Sequence, residues 1–425
     1  MTADTIYALS SGSPPAAVAV VRISGPHADA ALQALAGRLP EPRRASVARL
    51  SHEGEKLDDA LVLRFPGPAS VTGEDVVELH LHGGRAVVAA VLGALGAMGG
   101  LRVAEPGEFT RRAFKNGRID LAEAEGLADL LQAETETQRK AAQALAGGGL
   151  SHLIAQWQER LLTQAAALEA VLDFSDEGEV GEAWPVGWAA AVAALGNEIE
   201  AALARPAAER LRDGLRVVIA GPPNAGKSSL LNWLAGRQAA ITSAIAGTTR
   251  DLVEAPTAIG GTPFLLVDTA GLRDSSDEVE AIGVDRARSS VETADLILWL
   301  GAPEQAPDRA RTILIQSKSD LKLEERAVDI RVSAETGEGM EGLVALLIAR
   351  ARDLLPGEGE VALNSRHRAA ITAALAQLRE AHAARDPLIA AECLRQARVA
   401  LHRVTGRAGV EDMLDALFGR FCIGK

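Results

Sequence analysis

Aromatic residues make up only 3% of the 425 positions, too few for the stacking platforms on which proteins lay out single-stranded nucleic acid. Positive charge is also in deficit. Against 57 Asp and Glu stand 44 Lys and Arg, a net charge of −13. A protein that coats a phosphate backbone with cations is therefore disfavoured, and any nucleic-acid contact must use a local basic groove. The two cysteines, Cys393 and Cys422, make neither a zinc site nor a disulfide framework and suit a reducing cytoplasm. Long apolar runs are missing as well. The best candidate, 86–101, is too short to span a bilayer and is broken by Gly93, Gly96, Gly99 and Gly100. The opening Met1-Thr2-Ala3-Asp4-Thr5-Ile6 has no basic region followed by an apolar run, so no secretory signal is read there. A soluble, cytoplasmic protein with no membrane role is expected.

What is present is globular. Hydrophobic types are 48% and charged types 24%, and at roughly 100–200 residues per domain the length predicts two to four domains. Short β-rich runs at 17–23, 60–65 and 75–81, with glycine and proline between them, predict an α+β domain over 1–118. From Leu121 the period becomes helical. Leu121, Ala124, Ala128 and Leu131 share one face, and Leu150, Ile154, Trp157, Leu161, Ala165, Leu168 and Leu172 share another, with Gly147-Gly148-Gly149 between the two helices. Strands and helices alternate from Leu215 to Arg352, the pattern of a mainly parallel sheet. Helical stripes return at Ile371, Ala374, Leu375 and Leu378, and at Leu394, Ala397 and Leu401. Amphipathic helices need a partner for their apolar stripe. The helices of 356–425 are therefore expected to pack on those of 119–213, making 214–355 an inserted domain. The predicted fold class is multidomain: α+β, then all-α, then α/β.

The densest chemistry lies in 214–355. A strand over 215–220 runs into Gly221-Pro222-Pro223-Asn224-Ala225-Gly226-Lys227-Ser228 and then a helix, the phosphate-binding loop in its strand–loop–helix context. The backbone from Asn224 through Ser229 would face phosphate oxygens at a helix N-terminus, Lys227 would bring a point charge to the β/γ oxygens, and Ser228 would ligate Mg²⁺. A second strand, 264–267, presents Asp268-Thr269-Ala270-Gly271. Asp268 would hold the metal through its water shell and the Gly271 N–H would sense the γ-phosphate. Thr249, in Gly247-Thr248-Thr249-Arg250-Asp251, is the second candidate hydroxyl for Mg²⁺.

Two more strands end in loops suited to a base, Ser317-Lys318-Ser319-Asp320 and Ser333-Ala334-Glu335-Thr336-Gly337. An acceptor carboxylate at Asp320 matches guanine's ring N–H and exocyclic amine, so GTP and GDP are favoured over adenine nucleotides. The whole segment resembles the translation-factor-related GTPases. Such families usually carry Asn where this chain has Ser317. A serine hydroxyl is shorter and donates less, which predicts weaker nucleotide affinity with base choice kept by Asp320. Leu272 stands where many signalling GTPases place a water-orienting Gln, so catalysis must be assembled differently. The Asn224 amide and oxygens from Ser243, Ala244, Ile245, Ala246, Gly247 and Thr248 could cage K⁺ beside the β/γ bridge, with Asn224, Ser243, Ile245 and Thr248 as ligands. The other reading of Asn224 is that it only shapes the loop.

Phe421-Cys422-Ile423-Gly424-Lys425, taken with Val21-Arg22-Ile23-Ser24-Gly25, Thr72-Gly73-Glu74-Asp75 and Pro106-Gly107-Glu108-Phe109-Thr110, closely resembles the bacterial and organellar tRNA-modification GTPase family MnmE (TrmE) along the whole chain. The resemblance implies a homodimer that works with the flavoprotein MnmG on tRNA, installing a carboxymethylaminomethyl group on the wobble uridine. It implies a one-carbon donor, 5-formyl- or methylene-tetrahydrofolate, held by an N-terminal domain similar to folate-dependent aminomethyltransferases. Arg22, Glu78, Arg118 and Lys425 would contact the folate, Arg118 replacing the family's usual Lys. Cys422 would lie near it as a chemical participant, or else be a small hydrophobe. Glu280, in Asp277-Glu278-Val279-Glu280, matches the family's water-orienting acid, its alternative being a solvated acidic loop.

His80 and His82 alternate on one strand but lack a visible third ligand, and Gly406-Arg407-Ala408-Gly409 reads as a turn between helices. A competing class, a ribosome-assembly GTPase switch, needs an RNA-binding module that neither a basic tail nor a convincing KH motif supplies here.

Overall fold

A computed structural model describes residues 4–175, 184–236, 254–268, 289–321, 326–357, 360–406, 411–419 and 421–425. The chain divides into two compact units, one of residues 1–128 with 405–425, the other of residues 129–404.

The first unit is built on a six-stranded sheet. In chain order its elements are β1 (Thr5–Leu9), β2 (Val18–Ser24), α1 (Ala28–Ala36), β3 (Ser46–His52), β4 (Glu55–Phe65), β5 (Val76–His82), α2 (Arg85–Gly96), β6 (Leu101–Val103), α3 (Glu108–Lys115) and α4 (Leu121–Gln132). The strand order is β3-β4-β5-β2-β1-β6, antiparallel except for β1 with β6. Alternation decides the faces. Val21 and Ile23 of β2 and Val77, Leu79 and Leu81 of β5 turn to one side and bury against Leu32 and Leu35 of α1 and Val88, Val91 and Leu95 of α2. The other side is partly polar: Arg22 pairs in register with Ala8 on β1 and with Glu78 on β5. Beside that row, Ile6, Ala8, Ala104 and Phe109 form a small second core.

The second unit joins helices to a second six-stranded sheet. It contains α5 (Glu136–Ala146), α6 (Gly149–Ser175), α7 (Trp188–Ala204), α8 (Ala208–Asp213), β7 (Leu215–Ala220), α9 (Lys227–Gly236), β8 (Glu254–Ile259), β9 (Thr262–Asp268), β10 (Leu296–Trp299), β11 (Thr312–Gln316), β12 (Ile330–Arg331), α10 (Met340–Arg352), α11 (Ser365–Ala383) and α12 (Pro387–His402). The strand order is β12-β11-β10-β7-β9-β8, parallel except for the β8–β9 hairpin. Both faces are covered, as a parallel sheet requires. Val217 and Ile219 meet Leu230 and Leu234 of α9 and Leu343 and Leu347 of α10, while Val218 and Ala220 meet Val267 and Ile297.

Helix α11 packs on α7 and α12, and α12 packs on α6, which buries the stripes Ile371, Ala374, Leu375, Leu378 and Leu394, Ala397, Leu401. Two arginines in the first turn of α11 fasten these helices by their carbonyl ends: Arg366 donates to Arg403 and Val404, and Arg368 to Leu203 and Arg205. One sequence expectation is corrected. Leu131 is 47% exposed, unlike Leu121, Ala124 and Ala128 of its predicted face, because it lies in the last turn of α4, which ends at Gln132. A last helix, α13 (Glu411–Phe418), belongs to the first unit.

Candidate functional site

The nucleotide-type site is built where β7 stops. Gly221 (φ +148) passes so close to the chain at Leu300 that a Cβ would lie 3.1 Å from that residue's carbonyl carbon. Gly226 (φ +90) turns the chain into α9. Between them Asn224 holds φ +61, a left-handed conformation that Asn tolerates better than most residues. Lys227 is 6% exposed, and its Nζ donates to the carbonyls of Gly221 and Pro222 at 3.1 and 2.8 Å, which sets the ammonium inside the loop's arc. Parallel pairing of β7 and β9 puts Ile219 opposite Asp268, and Ser228 Oγ donates to Asp268 Oδ2 at 2.7 Å. Two hard oxygen donors in contact beside a lysine and a helix N-terminus suit Mg²⁺ with a phosphate chain.

The base-type loops converge on the same edge of the sheet. Ser317 Oγ donates to the Ala225 carbonyl at 2.6 Å, and Lys318 Nζ to the Asn224 carbonyl at 2.9 Å. Ser319 N–H donates to Val332 at 3.1 Å, its hydroxyl to Glu338 Oε2 at 3.2 Å, and the Ser333 N–H to the Glu338 carbonyl at 2.9 Å. Asp320 is exposed beside them, Ser333 is buried and Ala334 half-buried. Sequence reasoning missed what Ser317 does here: its hydroxyl braces the phosphate loop. Ser243, Ala244, Ile245, Ala246, Gly247, Thr248 and Thr249, and also Thr269, Ala270, Gly271, Leu272 and Glu280, lie outside the described residues.

In the first unit the row Ala8–Arg22–Glu78 forms a charged strip. Arg22 Nε and Nη2 both donate to Glu78 Oε1, at 3.0 and 2.9 Å, with the Phe109 ring 5.7 Å from the guanidinium carbon and His80 Nε2 3.4 Å from Glu78 Oε2. The 421–425 segment runs alongside. Phe421 is buried with Phe418, Ala124 and Ala128, Ile423 bridges Pro106, and Ser10 Oγ donates to the Gly424 carbonyl at 2.8 Å. Gly424 (φ +97) admits no side chain, since a Cβ would sit 2.1 Å from the Leu9 carbonyl oxygen. That seat holds Gly424 at the end of β1, and Cys422, two residues earlier, is exposed. Arg118 packs beside Gly73 instead, its Cγ 3.3 Å from where a Cβ would stand, near the end of β2 where Ser24 Oγ meets Thr72 Oγ1 and Glu74 Oε2, each at 2.7 Å. His82 Nδ1 lies 2.7 Å from Asp58 Oδ1. Among the described residues no group of three or more metal-ligating side chains occurs.

A partly buried ion network, with Glu108 and Arg112 at its centre, holds this face together. Arg112 donates to Asp4, Glu74 and Glu108, and Arg102 to Asp4 and Glu108. Burial raises the Glu108 carboxyl, but hydrogen bonds from Arg102, the Glu105 N–H and Arg112 outweigh it and leave the group below its ordinary range. Asp4 is lowered in the same way, burial being overcome by Arg102 and Arg112. Two motifs quoted above only for their resemblance find their physical reason here. Glu74 and Glu108 join the network, and Gly107 (φ +68) leaves room for the Phe418 carbonyl, which a Cβ would approach to 2.3 Å.

Removing Glu108 takes one of two carboxylate partners from Arg102 and one of three from Arg112, so Glu108→Ala is expected to cost about 2 kcal/mol at neutral pH in urea denaturation, the worth of charge-assisted hydrogen bonds lost from groups that keep other partners. Because the folded pKa values of Glu108 and Asp4 are depressed, their contribution is present above the unfolded values of about 4 and is lost as pH falls through the folded ones. The gap between wild type and variant is expected to narrow below that point.

Comparison with known proteins shows the family. Residues 5–118 match the family model described as GTP-binding protein TrmE N-terminus, and residues 121–422 match the MnmE helical domain. The chain belongs to the MnmE family of tRNA-modification GTPases. It is 58% identical over 424 residues to the tRNA modification GTPase MnmE of Erythrobacter litoralis, covering 99% of this chain and 100% of that one. The MnmE of Rhizorhabdus wittichii is 59% identical, with 99% and 97% covered, and that of Zymomonas mobilis 50%, with 99% and 100% covered. Among the described residues no helix is long and apolar enough to cross a membrane.

Proposed function

We propose that this chain is the GTP-hydrolysing component of a cytoplasmic complex that installs a carboxymethylaminomethyl group on the wobble uridine of tRNA. It acts as a homodimer with the flavoprotein MnmG and takes its one-carbon unit from 5-formyl- or methylene-tetrahydrofolate. The boundaries 1–118, 119–213, 214–355 and 356–425, with the third segment inserted in a helical domain, belong to this reading. So does movement of the GTPase part during the nucleotide cycle.

Each residue has a task in it. Backbone N–H groups from Asn224 to Ser229 cradle the phosphates, and Lys227 turns its ammonium from the loop carbonyls to the β/γ oxygens. Ser228 and Asp268, with Thr249, would hold Mg²⁺, which neutralises phosphate charge when bound. Asp320 pairs with guanine, while Ser317 and Lys318 lock the base loop to the phosphate loop. Thr269, Ala270, Gly271 and Glu280 complete the site around the attacking water. In the other unit Arg22, Glu78, Arg118 and Lys425 bind folate and Cys422 stands at its reactive end.

The observation that supports the folate half is the seat of Gly424 against Leu9 and Ser10, at the end of the strand whose Ala8 pairs with Arg22. Titration of the full chain with 5-formyl-tetrahydrofolate tests it. In Gly424→Val the segment cannot seat, and affinity is expected to fall about tenfold or more, the worth of one lost charge-assisted hydrogen bond. Unchanged affinity would remove the 421–425 segment from the folate site.

A further inference from the structure

The first turn of α5 holds more hydrogen bonds than a helix start requires. It reads Thr135-Glu136-Thr137-Gln138 and forms a capping box, with Thr135 Oγ1 accepting from the Gln138 N–H at 3.2 Å and Gln138 Oε1 accepting from the Thr135 N–H at 2.9 Å. That motif uses only the Oε1 of Gln138. Its Nε2 donates instead to the carbonyls of Leu211 and Arg212, both at 3.1 Å, in the last turn of α8 just before β7 begins at Leu215. One position earlier, Thr137 Oγ1 donates to the Gly261 carbonyl at 2.6 Å, in the turn that opens β9. One helical turn further, Ala141 packs on the core of the GTPase sheet to which Leu211 belongs.

Two neighbouring side chains of one helical turn therefore grip the starting ends of β7 and β9. The finishing ends of the same strands carry the phosphate loop and Asp268, joined through Ser228 at 2.7 Å. β7 and β9 are adjacent and parallel. A packed strand pair is stiff, so a displacement of one strand along the other at the phosphate end is transmitted to the Thr137 and Gln138 contacts.

We propose that the first turn of α5 is the relay between nucleotide state and the helical domain, with Thr137 gauging β9 and Gln138 gauging the α8–β7 junction. Both are positioning residues acting through strands. The proposal rests on the reading that the GTPase cycle drives movement, and it names where that movement leaves the GTPase part.

The test uses the full chain carrying Thr137→Val and Gln138→Glu. Valine keeps the shape of threonine without its hydroxyl, and glutamate keeps the capping oxygen while losing both Nε2 donors. Hydrogen exchange is compared between GDP and a non-hydrolysable GTP analogue. In wild type, peptides covering 134–175 are expected to change protection with nucleotide. In the variant that change is expected to shrink about tenfold, within the usual range of site-to-site coupling, while peptides covering 221–236 respond as before. GTP turnover is expected to stay within about threefold while tRNA modification falls with the helical response, and Thr137→Ser with Gln138 intact is expected to restore both. Thr137→Val alone leaves the capping box untouched and carries the same test with an intermediate loss. A variant whose helices respond as wild type overturns the relay and leaves the movement reading standing. A wild-type chain whose helices ignore nucleotide overturns both.

Discussion

GTP hydrolysis by this chain is expected to run about a hundredfold or more slower in sodium than in potassium, the scale on which loss of one preorganised charge stabiliser acts. Leu272 has no group that can orient water, and no arginine stands in the phosphate loop 221–228. On the potassium reading a cation beside the β/γ bridge would supply the missing positive charge, and sodium, being smaller, would fit a cage of carbonyl and amide oxygens poorly. Asn224 would be the described member of that cage. It occupies a left-handed conformation and its carbonyl is held by Lys318, so its backbone is fixed whatever its amide does. That same conformation would favour Asn for loop shape alone, and Asn224→Gly separates the two roles. Glycine adopts the left-handed geometry freely but has no amide, so the variant is expected to keep nucleotide binding and lose the potassium response. Retention of that response in Asn224→Gly would leave Asn224 a loop-shaping residue only. Equal rates in the two salts would remove the cation from the mechanism.

Lys227→Ala is expected to lower GTP turnover by about a thousandfold or more, since the phosphate loop would keep its N–H groups but lose its charge. Lys227 is 6% exposed and its ammonium lies inside the arc of the loop, on the Gly221 and Pro222 carbonyls, whereas Lys318 is held at the Asn224 carbonyl. Folate affinity is expected to stay within about twofold, because Arg22, Glu78 and the 421–425 segment belong to a unit with its own cores. Parallel measurement of GTP hydrolysis and 5-formyl-tetrahydrofolate binding on one preparation checks both halves. Joint loss would mean that the substitution had unfolded the chain.

Much of this was legible in the residues, and the reason differs from element to element. Val217–Ala220 reads as an unbroken apolar run because a parallel strand is buried on both faces. β2 and β5 are visible because one face is core and the other carries Arg22, Glu78 and His80. β4 begins at Glu55, five residues before the apolar run that announces it, because Glu55, Lys56 and Asp59 are exposed, Asp58 is buried under His82, and the segment is held by pairing with β3. The break between α4 and α5 was hidden for a related reason: helical period continues across 133–135, and only the capping box at Thr135 and Gln138 marks the new start. Phosphate-loop residues could be named because their spacing is imposed by the ligand. The bracing of Ala225 by Ser317 could not, since a hydroxyl in place of an amide suggests only a weaker contact to the base until the loops are seen together. The Asp4–Glu74–Arg102–Glu108–Arg112 network was equally hidden, because its members are scattered along the chain and only the fold brings their charges into contact.

The central claim is that GTP hydrolysis is needed for the modification, and the most direct measurement is the wobble-nucleoside content of tRNA from cells whose only copy of this chain is Lys227→Ala. Carboxymethylaminomethyluridine and its derivatives are expected to be absent there, as in cells lacking the chain, and fully present when wild type is restored. A normal nucleoside profile with the Lys227→Ala chain, verified as unable to hydrolyse GTP, would contradict the account.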